Sequence, residues 1–195
     1  MFRWANELCV FFWIETYVII IVNQFKYQTE KVIYMPLVPC SMNIAWELNA
    51  IIVSKGAWGH VGWFVLDVFI FAYNVRFLDT LIQRFVYCIS TITIFFFLWW
   101  FFRVQMIDGM LISVFGIDLI MALVFIIQSK VISSHGKTCI ALTKLLGDLF
   151  AFLGDMNKNV FVLLIGIVVL LSNLYYLCQC FEEKTELQKK RNRTY

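Results

Sequence analysis

The sequence predicts an all-α polytopic membrane protein, a bundle of seven transmembrane helices. Three observations carry this. Hydrophobic residues make up 62% of the 195-residue chain, charged residues only 15%, and the mean hydropathy is +0.80. A soluble globule needs more charge than that to cover its surface. Proline is confined to Pro36 and Pro39, which leaves room for long uninterrupted helices. Finally, seven apolar stretches approach the roughly 20 residues that cross a bilayer.

The stretches are 4–23, 33–53, 58–75, 85–102, 109–128, 138–156 and 159–181. Backbone polar groups in lipid must be satisfied within the segment, so each is expected to be a helix. Arg3 and the apolar run that follows it resemble a signal peptide, but Glu15 interrupts the run and no small-residue cleavage site follows. A retained first helix is the better reading. The second stretch begins near Pro36 and Pro39, which a first helical turn tolerates. The third is short. The sixth contains Lys144, Gly147 and Asp148, which suggests a polar cavity. No internal repeat is visible, so residues 1–181 form one domain and 182–195 a basic tail.

Charge supports the count. With seven spans the N-terminal face carries Arg3, Lys55, Arg103 and Lys158. The opposite face carries Lys26, Lys31, Arg76, Arg84, Lys130, Lys137 and Lys144, together with Lys184, Lys189, Lys190, Arg191 and Arg193 of the tail. The positive-inside rule then puts the C-terminus in the cytoplasm and the N-terminus on the other side. A net charge of +3 is too weak to point to nucleic acid. A basic tail beside an anionic leaflet accounts for the cluster at the C-terminus.

Five acids fall at bilayer depth: Glu15, Glu47, Asp67, Asp118 and Asp148. Ionisable groups there are costly and usually face the bundle interior. Lost hydration disfavours the ionised form of a carboxyl group, so such an acid is a candidate proton donor. The competing reading of each is a neutral acid that hydrogen-bonds a neighbouring helix. Glu47 stands out, because Cys40, Asn43 and Glu47 stack at i, i+3 and i+7 with Trp46 beside them. The run Phe95–Phe102 is explained by an interfacial aromatic belt, or by a cavity wall that stabilises a cation. The six cysteines form no CxxC pair and read as small buried apolar residues. His60 and His135 read as loop residues without metal-ligand partners. No phosphate loop, HExxH, GxSxG or Asp-rich motif is present, so neither metal nor cofactor is expected.

The segment Phe25-Lys26-Tyr27-Gln28-Thr29, then Met35-Pro36-Leu37-Val38-Pro39-Cys40 and Asn43-Ile44-Ala45-Trp46-Glu47, resembles the small seven-span terpene cyclases of fungal meroterpenoid and indole-diterpene pathways, the family of the pyripyropene and paxilline cyclases. Trp63-Phe64-Val65-Leu66-Asp67 looks like the family's W-x-x-L-D, and Ser133-Ser134-His135-Gly136-Lys137 like its polar loop before the sixth span. The resemblance implies a membrane-bound cyclase that protonates an epoxidised polyprenyl substrate and closes rings by a cation cascade without metal. It implies a lipophilic prenylated substrate, and a prenyltransferase or epoxidase as pathway partner. It makes Glu47 the proton donor, and Asn43, Trp46, Trp63 and Asp67 substrate-binding residues. The family also has an Asp in the last span, where Asn173 stands here. Asn can orient Glu47 or a substrate oxygen by hydrogen bonds but cannot act as an acid. Glu47 therefore acts alone, or Asp118 substitutes, or this branch does different chemistry. A small carrier and a non-catalytic scaffold are the readings from other classes.

Overall fold

The computed structural model describes residues 3–28, 33–55, 58–130, 132, 134–156 and 160–193, without the side chains at 3, 102–110, 187 and 190–193. These residues form six helical stretches: α1 (Arg3–Lys26), α2 (Leu37–Val53), α3 (Trp58–Arg76), α4 (Leu81–Ile127), α5 (Lys137–Asp155) and α6 (Val160–Arg193). No strand occurs among them. A single bridge joins Ile33 to Ile132. The fold is all-α, as the apolar pattern requires.

Three segments are long and apolar enough to cross a membrane: Trp4–Lys26, Leu81–Phe101 and Val160–Glu186. Leu37–Val53 and Leu111–Ile127 are apolar but shorter. α3 and α5 carry more polar residues, among them His60, Asp67 and Asn74, and Lys144 and Asp148, most of them buried. Most of these polar side chains point inward.

The fourth and fifth expected spans are joined in α4. At 1.5 Å per residue a straight helix of its length would reach about 70 Å. It is not straight. Tyr87 donates its hydroxyl to the carbonyl of Leu37, and Asn49 donates Nδ2 to the carbonyl of Phe95, so the first arm rises alongside α2. Trp46 Nε1 donates to Ser113 Oγ, and Phe125 packs with Tyr34, Met35 and Cys40 at the start of α2. The second arm therefore descends along the same helix. The reversal falls between Phe95 and Ser113, the residues that those contacts place on the two arms.

Two helix ends also differ from expectation. α2 starts at Leu37 rather than at 33, with Pro36 as its cap at φ −57°, because proline supplies a preset φ and no N–H that would need a partner. α6 continues without a break through the basic tail.

Contacts between elements close into a ring: α1 touches α5, α5 touches α6, α6 touches α4, α4 touches α2, α2 touches α3, and α3 touches α1. Glycines set the closest approach, on α5. A methyl group on Gly147 would lie 2.8 Å from the Trp13 ring, and one on Gly154 2.1 Å from Asn6 Oδ1. Small residues let helix backbones approach where packing, not water, drives association. Gly136, before α5, has φ +70°, a left-handed value that suits glycine. Of the six free cysteines, Cys40 and Cys180 are buried, whereas Cys139 and Cys178 are exposed.

The core lies mainly at the Tyr34 end of the ring. There Tyr17, Ile20, Tyr34, Met35, Cys40, Ile70, Met121, Phe125, Ile140 and Tyr176 pack together. A smaller cluster joins Ala45, Trp46 and Ala50 of α2 to Leu98 and Ile117 of the two α4 arms.

Candidate functional site

A cavity of about 180 Å³ lies inside the ring. α1 contributes Cys9, Trp13 and Tyr17, and α2 contributes Asn43, Trp46 and Glu47. α3 adds Trp63, the second arm of α4 adds Val114, Phe115, Ile117 and Asp118, and α5 adds Ala151 and Asp155. Tyr17 belongs both to the wall and to the main core, and Trp13 and Trp63 back onto that core. Helical spacing explains the α2 face. Asn43 and Glu47 are one turn apart and both reach the cavity. Cys40, the third member of the expected stack, points into the core instead.

Glu47 is not isolated. Its Oε2 lies 3.0 Å from His60 Nδ1, with side-chain exposures of 10% for Glu47 and 22% for His60. His60 is therefore not a loop residue. It sits in the first turn of α3, because the helix starts at Trp58 despite Gly59 and Gly62. Its ring lies 5.6 Å from that of Trp46 and 6.0 Å from that of Trp63. His60, Trp63 and Asp67 follow the i, i+3, i+7 pattern of one helix face, a signal present in the sequence and overlooked there.

Tyr17 links two of the expected residues. Asn43 Nδ2 donates to its hydroxyl at 2.9 Å. The same hydroxyl faces Asp67, which is fully buried with no well-formed hydrogen bond to either carboxyl oxygen. Asp67 does not line the cavity and stands behind Tyr17. Asp118 lines the cavity with Glu47, from a different helix, the second arm of α4.

Asn173 is elsewhere. It donates Nδ2 to Asp148 Oδ2 at 2.6 Å and accepts from Lys144 Nζ at 3.1 Å. Lys144 also donates to Asp148 at 2.6 Å, and its ammonium lies 5.3 Å from the Trp13 ring. Asn173, Lys144 and Asp148 are each at most 2% exposed. Asn173, on α6, thus supports a buried ion pair within α5, and the expectation that it orients Glu47 is corrected. The reason is physical: a buried Lys–Asp pair keeps unfilled hydrogen-bonding capacity, and an amide supplies both a donor and an acceptor.

Two further expectations change. Glu15 is exposed on the outer side of α1, not directed inward. In the aromatic run, Phe96, Phe97 and Trp100 face outward, and none of the described side chains from Phe95 to Phe101 lines the cavity; Phe102 lies outside the described side chains. The aromatic wall is built from Trp13, Tyr17, Trp46, Trp63 and Phe115. Trp13, Tyr17 and Phe115 were not singled out in the sequence, since aromatic residues in an apolar helix look alike whether they face lipid or a cavity. Among the described residues no group of His, Cys, Asp and Glu is placed to hold a metal ion.

No family model, curated protein or solved structure matches the chain.

Proposed function

We propose that this protein is a seven-span membrane-bound terpene cyclase that starts a cation cascade by proton transfer to an epoxidised polyprenyl substrate. The seven spans are α1, α2, α3, the two arms of α4, α5 and the first part of α6. The C-terminus lies in the cytoplasm and the N-terminus on the other side, as the distribution of Lys and Arg suggests. The observation that carries the proposal is the meeting of carboxyl groups and tryptophans in one site: Glu47 and Asp118 share a partly open cavity with Trp13, Trp46 and Trp63.

The chemistry follows from those groups. The Glu47 carboxyl gives its proton to the epoxide oxygen, a C–O bond breaks, and the neighbouring alkene supplies the electron pair that closes the first ring. Successive alkenes carry the positive charge along the chain until a C–H proton is lost. Indole faces stabilise a cation through their quadrupole, by more where water is excluded. Asn43 holds Tyr17 in place beside Glu47. Asp118 is the second carboxyl that lines the cavity.

Size limits what enters. A cavity of about 150 Å³ holds one six-membered aromatic ring. The space here admits the epoxide end and the first ring to form, and the remaining prenyl units extend toward lipid. A carrier reading is weaker, because the cavity backs onto the packed Tyr34 core rather than leading to the opposite face. The test is product formation. Membranes containing the protein, supplied with epoxy-prenyl substrates, should yield cyclic alcohols of unchanged mass in the presence of a chelator. Recovery of substrate alone, or conversion only with added Mg²⁺, would overturn the proposal.

A further inference from the structure

Glu47 has two carboxyl oxygens with different surroundings. Oε2 is held by His60 Nδ1 at 3.0 Å. Oε1 has no hydrogen bond among the described residues, and Glu47 lines the cavity. The imidazole is the more exposed of the two groups and lies two residues into α3, next to Trp58, which is largely exposed. Its Nε2 has no hydrogen bond to a described residue. The Trp46 ring lies edge-on to the imidazole at 5.6 Å and the Trp63 ring is tilted to it at 6.0 Å, so the imidazole is a polar group beside two indoles. The other titratable groups around Glu47 are Tyr17 and Asp67 on its inner side and Asp118 and Asp155 across the cavity. Cys9 also lines the cavity, and the hydrogen-bond partner of Glu47 among the described residues is His60.

We infer that His60 is a proton relay and positioning residue that reloads Glu47 from the aqueous phase at the α2–α3 end of the molecule. The inference deepens the cyclase reading and rests on it for the source of the empty carboxylate, not for the geometry. After Glu47 has given up its proton, Nε2 takes a proton from an aqueous acid. The Nδ1 proton then passes to Glu47 Oε2, which restores the carboxylic acid and leaves a neutral ring. The remaining ring proton returns to Nδ1 by exchange through water. An imidazole suits this role because its two nitrogens bind and release a proton on opposite edges.

The experiment reads Glu47 directly. In the full-length protein in lipid nanodiscs, the infrared carbonyl band of the protonated Glu47 is assigned by its loss in Glu47→Gln. Its shift is then followed after transfer to D₂O. In His60→Gln and His60→Phe the exchange should be at least tenfold slower than in the unmodified protein, and added imidazole should restore it. His60→Gln keeps a hydrogen bond to Glu47, so it separates loss of the relay from loss of support. Unchanged exchange in both variants, exchange that imidazole does not accelerate, or the absence of a Glu47-dependent band would overturn the inference. Product assays add an independent arm: a single turnover should survive in His60→Gln while repeated turnover falls about tenfold and recovers with imidazole. If the unmodified protein makes no product, the cyclase reading fails while the infrared measurement still decides the relay.

Discussion

Asn173 was expected to orient Glu47 or a substrate oxygen, and its place beside Lys144 and Asp148 changes what each substitution should do. Glu47→Gln preserves shape but removes the transferable proton, so product formation should fall about a hundredfold, the usual scale for a general acid. Asn173→Ala should leave chemistry nearly intact and weaken the fold instead. It strips two hydrogen bonds from a buried ion pair, a loss of about 1–3 kcal/mol readable in denaturation of the detergent-solubilised protein. Asn173→Asp, attractive if it rebuilt a pair of acids across a cavity, would instead set a second carboxylate against Asp148. It should destabilise the protein. The sequence singled out Glu47, Asn43 and Trp46 because one face of α2 carries a polar file through apolar surroundings, whereas Trp63 came only from the family resemblance. It hid Trp13 and Tyr17, since an aromatic ring on α1 gives no sign of whether it meets lipid or a cavity. His60 was concealed by flanking glycines that suggest a loop.

Among the elements, α5 was the least legible and is the most informative. Lys144 and Asp148 made it look like a weak span, yet they neutralise each other one helical turn apart, with Asn173 completing the set. Lys144→Met should cost about 3–5 kcal/mol by leaving Asp148 buried without its cation, whereas Lys144→Met with Asp148→Leu should recover most of it. Thermal unfolding of the single and double variants checks this. Gly147→Ala tests the α1–α5 contact. The added methyl must move the Trp13 ring, at a cost of about 1–3 kcal/mol, and should shift the ratio of products because that ring forms part of the cavity wall. α4 shows the limit of a hydropathy reading. Two apolar stretches were visible, but whether a helical connection or a loop joins them depends on contacts with α2 that lie far away in sequence.

At the scale of the whole molecule, hydropathy made the all-α class readable, because long apolar runs without proline depend on composition rather than on partners. The order in which the helices close into a ring was not readable, since it is decided by close glycine contacts and by which polar residues meet. The topology has its own check: a reporter fused after Tyr195 should read as cytoplasmic, one inserted near Lys55 as non-cytoplasmic. The central claim is proton-initiated cyclisation in the cavity that Glu47 shares with Trp13, Trp46 and Trp63. It is tested most directly by incubating purified protein and its Glu47→Gln variant with an epoxidised polyprenyl substrate and a chelator, followed by mass-spectrometric product analysis. The account predicts a cyclic alcohol isomeric with the substrate from the unmodified protein and about a hundredfold less from the variant. Equal product from both proteins would contradict it.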